Sequence, residues 1–340
     1  MQSVSSASAQ QGKSPRTAPA GRTTKPWYQR INKDKIRKFM MGSKDREGFL
    51  KQFIIYALLI CIGFIYVYPI LHMVSASFMN LDDLLDSSIK WLPSTLDFSN
   101  YAQAAKSMDF WNALWQSVVI AGLPTICNLV SCSIIGYGLA RYDFPGKMIV
   151  MGIIILSFVL PSQITMIPTY VLFSNMKILN TLWAFILPAL CGQGFNAPIF
   201  ILIFWQFFRQ IPKVLIEASK IDGAGNFKSF FQVALPSAAP AFITVSLFSF
   251  VWYWNEAYLT NLYVHGVYGA SSWTTLVIQL DNFASNFSSY QQTAGSGATS
   301  LNESINMAGT MLSILPLMLL YFVLQRHFVE SIDRTGITGE

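Results

Sequence analysis

Six stretches, at 53–74, 114–139, 148–173, 182–207, 238–259 and 306–325, are almost wholly apolar and hold one formal charge between them, Glu256. Each reaches or exceeds the roughly 20 residues that a helix needs to cross hydrocarbon. Backbone in lipid must satisfy its own hydrogen bonds, so helices are the spanning form open to such runs. The pattern predicts an all-α membrane protein with six transmembrane helices. Two polar intervals are long. The interval 75–113 carries a turn signal at Trp91–Pro93 and a helical stretch around Tyr101–Trp115. The interval 260–305 is rich in Ser, Asn and Gly, and its Tyr263, Tyr268, Trp273, Phe283, Phe287 and Tyr290 read as the contact surface of a binding loop.

Charge orients the bundle. Of the 23 Lys and Arg, twenty lie before the first run, between runs two and three, between runs four and five, or after run six; the opposite loops hold Lys90, Lys106 and Lys177. The basic side of a membrane protein faces the cytoplasm, so both termini are expected there. A net charge of +6 distributed in this way reflects orientation and not a nucleic-acid surface. With 53% hydrophobic and 12% charged residues, the chain has half the charge of an ordinary soluble domain, about 25%. Membrane lipid is the expected surround. The domain organisation that follows is a basic, Ser- and Ala-rich tail at 1–50, a permease domain at 51–330 and a C-terminal tail at 331–340. Cys61, Cys127, Cys132 and Cys191 sit inside apolar runs and read as small buried residues. There is no nucleophile–base pair, phosphate-cradling glycine loop or metal-ligand spacing, so the chain is not expected to be an enzyme.

The loop 209–237 carries the sharpest signal. Pro212 suits a helix start, and Val214 to Lys220 can form a short helix with Leu215, Ala218 and Ser219 on a small, smooth face. Gly223 permits a turn with positive φ. A second short helix, Asn226 to Ala234, is expected to stop before Pro236. The result is a compact two-helix peg on the membrane surface. The sequence Glu217-Ala218-Ser219-Lys220-Ile221-Asp222-Gly223, nine residues, then Val233-Ala234-Leu235-Pro236 resembles the EAA signature of ABC-importer permeases in both spacings, with Ser219 and Val233 as conservative departures. Ala140 to Gly146, Ile167 to Tyr170, Leu179 to Thr181, Phe207 to Pro212, Trp254 to Glu256 and Gln325 to Val329 are similar to stretches of maltose-type sugar permeases, over roughly 50–335. The tail departs, ending Gly336-Ile337-Thr338-Gly339-Glu340 where that family commonly has Gly-Ala-Val-Lys-Gly.

The resemblance implies a MetI-like permease fold in the bacterial cell membrane and a carbohydrate as solute. It implies three protein partners: an ATPase subunit dimer, a second homologous permease forming a heterodimer, and an external solute-binding protein. No cofactor is implied for this chain; ATP and Mg belong to the ATPase. Glu217, Ala218, Ser219, Asp222, Gly223, Leu235 and Pro236 would fit the ATPase groove. For the solute path or its gate the candidates are the polar and aromatic groups inside or at the ends of spans: Gln163, Gln193, Asn196, Trp254, Asn255 and Glu256. The segment Gly192 to Pro198, with two glycines and a proline, reads as an unwound or kinked helix of the kind that holds solute in transporters. An ion-driven secondary transporter is the competing reading, but it would need intramembrane acids or bases, and Glu256 alone stands near that role.

Overall fold

The computed structural model describes residues 42–43, 46–47, 49–86, 91–265, 273–294 and 300–336, with side chains in the last helix described as far as Arg326. Nearly all of the 1–50 tail, Tyr268 and 337–340 therefore lie outside the described residues. The chain divides into two units, 1–68 and 69–340. In the first, the two-residue strands β1 (Gly42–Ser43) and β2 (Arg46–Glu47) pair antiparallel. Helix α1 (Phe49–Ser77) then begins inside the stretch expected to be tail. Its apolar side chains point outward, as a helix surrounded by lipid requires. Cys61 is among these outward residues, so it is not the buried residue expected.

The second unit begins at Pro69, within α1, and continues with α2 (Leu81–Leu85) and α3 (Ser99–Ser107). Asp83 is buried there because Ser94 donates to its carboxylate through both its backbone N–H, at 3.0 Å, and its hydroxyl, at 2.6 Å. The helix expected around Tyr101–Trp115 is broken at Asp109, whose φ of 45° separates α3 from α4 (Phe110–Arg141). Helix α4 is the axis of the fold. Along one face it carries Ala113, Ser117, Ala121, Thr125, Asn128, Cys132 and Gly136, all buried and spaced about four apart. Small residues at helical spacing let backbones approach closely in a membrane, where hydrophobicity alone does not hold helices together. Against this helix pack α7 (Trp183–Leu190), α8 (Ala197–Gln210) and α11 (Ala239–Asn255).

Only α1, α4 and α15 (Glu303–Gly336) contain unbroken spanning helices among the described residues. Three helix pairs are long and apolar enough to cross only when each pair is taken together, and each is bent: α5 (Lys147–Val159) with α6 (Ser162–Asn175) at 101°, α8 with α9 (Lys213–Ile221) at 73°, and α10 (Asn226–Ser237) with α11 at 76°, α9 and α10 being the parts that lie in the loop 209–237. The third apolar run is thus two helices, divided at Leu160–Pro161, where proline has no N–H to continue the ladder. The fourth run is interrupted over Cys191–Asn196. The interval 260–305 also contains helices: α12 (Ala257–Thr260) runs into a π turn at Asn261–His265, and α13 (Leu276–Asp281) and α14 (Phe283–Ala294) follow. Tyr263, Phe283 and Phe287 are buried, so these aromatics pin the segment to the bundle and are not its contact surface.

Two apolar clusters form the core. One surrounds the start of α4 and includes Met108, Ile120, Phe185, Tyr253, Leu276, Phe287 and Ile305. The other surrounds its end and includes Phe200, Phe204, Phe208, Tyr137, Phe230 and Val245. The α4–α8 contact is closest at Gly136, where an added Cβ would sit 2.6 Å from Phe204 Cβ and 2.9 Å from Trp205 N. Gly136→Val should therefore force the helices apart and destabilise the protein by about 1–3 kcal/mol, the usual range for overpacking. Gly138→Ala, where a Cβ meets nothing within 4 Å, is the control. Unfolding of both variants in mixed micelles by SDS titration checks this; equal midpoints would remove the close-approach argument.

Candidate functional site

The loop 209–237 folds as the expected peg, with informative differences. Helix α9 ends in a Schellman cap: Gly223 N–H donates to Lys220 O at 3.0 Å and Ala224 N–H to Ser219 O at 2.9 Å. This cap needs positive φ, and Gly223 has +81°. Asp222 is the C-cap, and Glu217 and Ala218 are exposed. Ser219 does not share a smooth outer face with Leu215. Its hydroxyl turns inward to the Ser229 hydroxyl, at 2.8 Å, and joins α9 to α10, while Leu215 stays exposed. Helix α10 does not stop before Pro236. A π turn at Phe230–Ala234 lets Leu235 N–H reach Phe230 O, and the helix continues through Leu235 and Pro236 to Ser237. Such π turns frequently mark functional positions.

The peg is tied to the bundle on one side and open on the other. Phe230 packs on Tyr137 with ring centroids 4.9 Å apart, and Tyr137 packs on Phe208 at 5.3 Å. Arg141, at the end of α4, donates through Nη2 to Ile211 O at 2.6 Å, in the bend between α8 and α9. Val214 and Ile221 (87% exposed) flank Glu217 on α9 at helical spacing, and Phe227 (82%) and Phe231 are exposed on α10. Grouped apolar exposure of this kind marks a protein contact. Sequence reasoning overlooked Phe227 and Phe231, although three phenylalanines, with Phe230, in an otherwise basic loop were a readable signal.

The second arrangement is a cleft of about 660 Å³ bordered by the end of α5, α6, α7, the break at Cys191–Asn196 and Tyr253 of α11. The break is real unwound backbone: Gly192 has φ +69° and Asn196, the N-cap of α8, +57°. Polar groups in and just before the break are satisfied partly by local backbone and partly by side chains of α4 and α11. Tyr253 Oη accepts from Phe195 N–H at 3.0 Å, Ser131 Oγ donates to Ala189 O at 2.5 Å, and Gln193 N–H donates to Pro188 O at 2.8 Å. Gly194 fits because it has no side chain; a Cβ would lie 2.2 Å from Asn128 Oδ1 and 2.9 Å from Tyr253 Oη.

Of the six solute-path candidates, Gln193 and Asn196 line this cleft. Gln163 is exposed on the same helix as the lining residues Ser162, Thr165 and Thr169, but is not itself among the lining residues. Trp254 is buried in the core, and Asn255 is exposed at the end of α11. Glu256 caps α12, its Oε1 accepting from Leu259 N–H at 2.9 Å. The cleft also exposes Cys191, a further departure from the expectation of four buried cysteines. The buried polar set Thr125, Asn128 and Ser249 behind the break went unnoticed in sequence, yet Thr125 and Asn128 recur at i, i+3 in an apolar run.

Residues 133–334 match the family model described as binding-protein-dependent transport system inner membrane component. Among similar proteins, a polygalacturonan/rhamnogalacturonan transport system permease of Bacillus subtilis is 29% identical over 84% of this chain and 97% of that protein. An arabinooligosaccharide transport system permease of Halalkalibacterium halodurans is 28% identical over 82% and 93%. A crystal structure of a bacterial ABC transporter involved in the import of the acidic polysaccharide alginate contains a chain with the same fold. The TM-score is 0.69 at 20% identity, covering 82% of this chain and 96% of that one. With the family model spanning more than half the sequence, over membrane helices and the two-helix peg alike, the chain belongs to the inner-membrane permease family of binding-protein-dependent ABC importers and is a transport subunit, not an enzyme.

Proposed function

We propose that this permease forms half of the translocation path for a carbohydrate and couples it to an ATPase through the peg at 209–237. The observation that carries this is the peg itself: a hinged two-helix unit, tied by Arg141, Tyr137 and Phe230 to the central helix, with an apolar face left open around Glu217. Such a unit transmits force because its own geometry is fixed by the Gly223 cap and the Ser219–Ser229 bond. Glu217, Ala218, Asp222, Gly223, Leu235 and Pro236 belong to this contact, while Ser219 holds the peg together from within. ATP and Mg act in the ATPase dimer. A second homologous permease completes the path, and Gln193 and Asn196 serve the solute within it. A carbohydrate is supported by similar permeases described for polygalacturonan or rhamnogalacturonan, for arabinooligosaccharides and for diacetylchitobiose.

Both termini and the peg are assigned to the cytoplasm from the distribution of basic residues. The segment around α14 then faces outside. Its exposed side, with Ser285, Ser288 and Ser289, is uncharged and hydroxyl-rich. That side is the one available to a solute-binding protein, because Phe283 and Phe287 are occupied in the core.

Three outcomes are expected. In the assembled transporter Gly223→Val, which strains a positive-φ position, and Glu217→Lys should each lower uptake and solute-stimulated ATP hydrolysis at least about tenfold, with the membrane level of the permease unchanged. Wild-type coupling in Gly223→Val would contradict the assignment. In a cysteine-free background, Lys220→Cys in intact cells should resist a membrane-impermeant maleimide and Ser288→Cys should react; the reverse pattern would invert the topology. Ser288→Arg with Ser289→Arg should abolish stimulation by the binding protein and leave basal ATP hydrolysis intact. Full stimulation would rule out docking at α14.

A further inference from the structure

The cleft beside the break at Cys191–Asn196 has uncharged walls. Its lining among the described residues contains no Asp, Glu, Lys, Arg or His. The polar groups it offers are hydroxyls and amides: Ser157, Ser162, Thr165, Thr169, Gln193 and Asn196. Rings line it as well: Phe158 is exposed and Phe195 half-buried, with Phe195 packed on the buried Tyr253 behind it. Hydroxyls and amides both donate and accept, so they can exchange water for sugar hydroxyls without leaving a polar group unpaired. Aromatic faces suit the apolar C–H faces of a pyranose. A carboxylate is a different matter. Moved from water into this setting it would meet neutral donors and the partial positive charge at the N-terminal ends of α6 and α8, but no full cation, so its desolvation would be offset only in part.

We infer that this cleft is a solute site selective for neutral sugars, and that it rejects acidic ones such as uronates. This rests on the carbohydrate reading above, and it sets the chain apart both from the alginate transporter that shares its fold and from the polygalacturonan/rhamnogalacturonan permease it resembles, whose polymers are acidic.

Cys191, exposed on the cleft wall, provides a reporter that requires no knowledge of the natural solute. The full-length chain carrying Cys61→Ala, Cys127→Ala and Cys132→Ala is placed in lipid nanodiscs and labelled with methanethiosulfonates. After normalisation to a free thiol, the neutral hydroxyethyl reagent should react at least about tenfold faster than the anionic sulfonatoethyl reagent. Millimolar trigalacturonate methyl ester should slow labelling, and the free acid, identical in stereochemistry, should not. Gln193→Lys should bring the anionic reagent to parity. Equal rates for the two reagents, protection by the acid, or protection by neither sugar overturns the inference. None of those results touches the permease reading, which the coupling variants of the peg test separately.

Discussion

Backbone that leaves helical geometry inside a membrane must find partners for its N–H and C=O groups, because lipid supplies none. The interruption at Cys191–Asn196 meets this demand with side chains from two other helices: Tyr253 of α11 takes the Phe195 N–H, and Ser131 of α4 takes Ala189 O. Much else follows from keeping those helices in place. The small-residue face of α4 brings α8 to contact distance, Gly194 leaves room for Asn128 and Tyr253, and the space beside the unwound segment becomes the cleft. An unbroken fourth helix would need none of these arrangements and would leave no polar backbone at that depth.

The peg and the cleft share a structural spine. Helix α4 contributes Ser131 to the break and, ten residues on, Arg141 to the carbonyl at which the peg begins. Between them Tyr137 packs on Phe208 and Phe230, one from the helix that leaves the break and one from the peg. A displacement of the peg therefore has a continuous path of packed side chains and hydrogen bonds toward the cleft. Coupling of this kind requires elements that move as bodies, and the capped, cross-bonded peg satisfies that condition.

Helix content, the positions of six apolar runs and the peg were legible in the sequence, because hydropathy and the Gly223 spacing depend on local chemistry alone. The interruption near Gly192 was legible for the same reason. What sequence could not supply was direction. Ser219 has the size for a smooth outer face, yet its hydroxyl finds a better partner in Ser229 across the hinge. Glu256 was the one charge in six apolar runs, and its carboxylate caps a helix start, a contact that hydropathy does not signal. Tyr263, Phe283 and Phe287 had the composition of a contact surface, but burial decided their role. The bend at Pro161 was visible as a proline, but its size, 101°, was not, because a missing N–H marks where a helix breaks and not the angle at which the chain resumes.

The partners of the broken fourth helix also impose an order on assembly. A chain delivered to the membrane from its N-terminus has Ser131 in place before Ala189 arrives, but Tyr253 lies 58 residues beyond the Phe195 amide it must accept from. Until the fifth run enters, the unwound segment holds only part of its final hydrogen bonding. The hydrogen bonding of the broken fourth run is thus completed by a helix that is made after it.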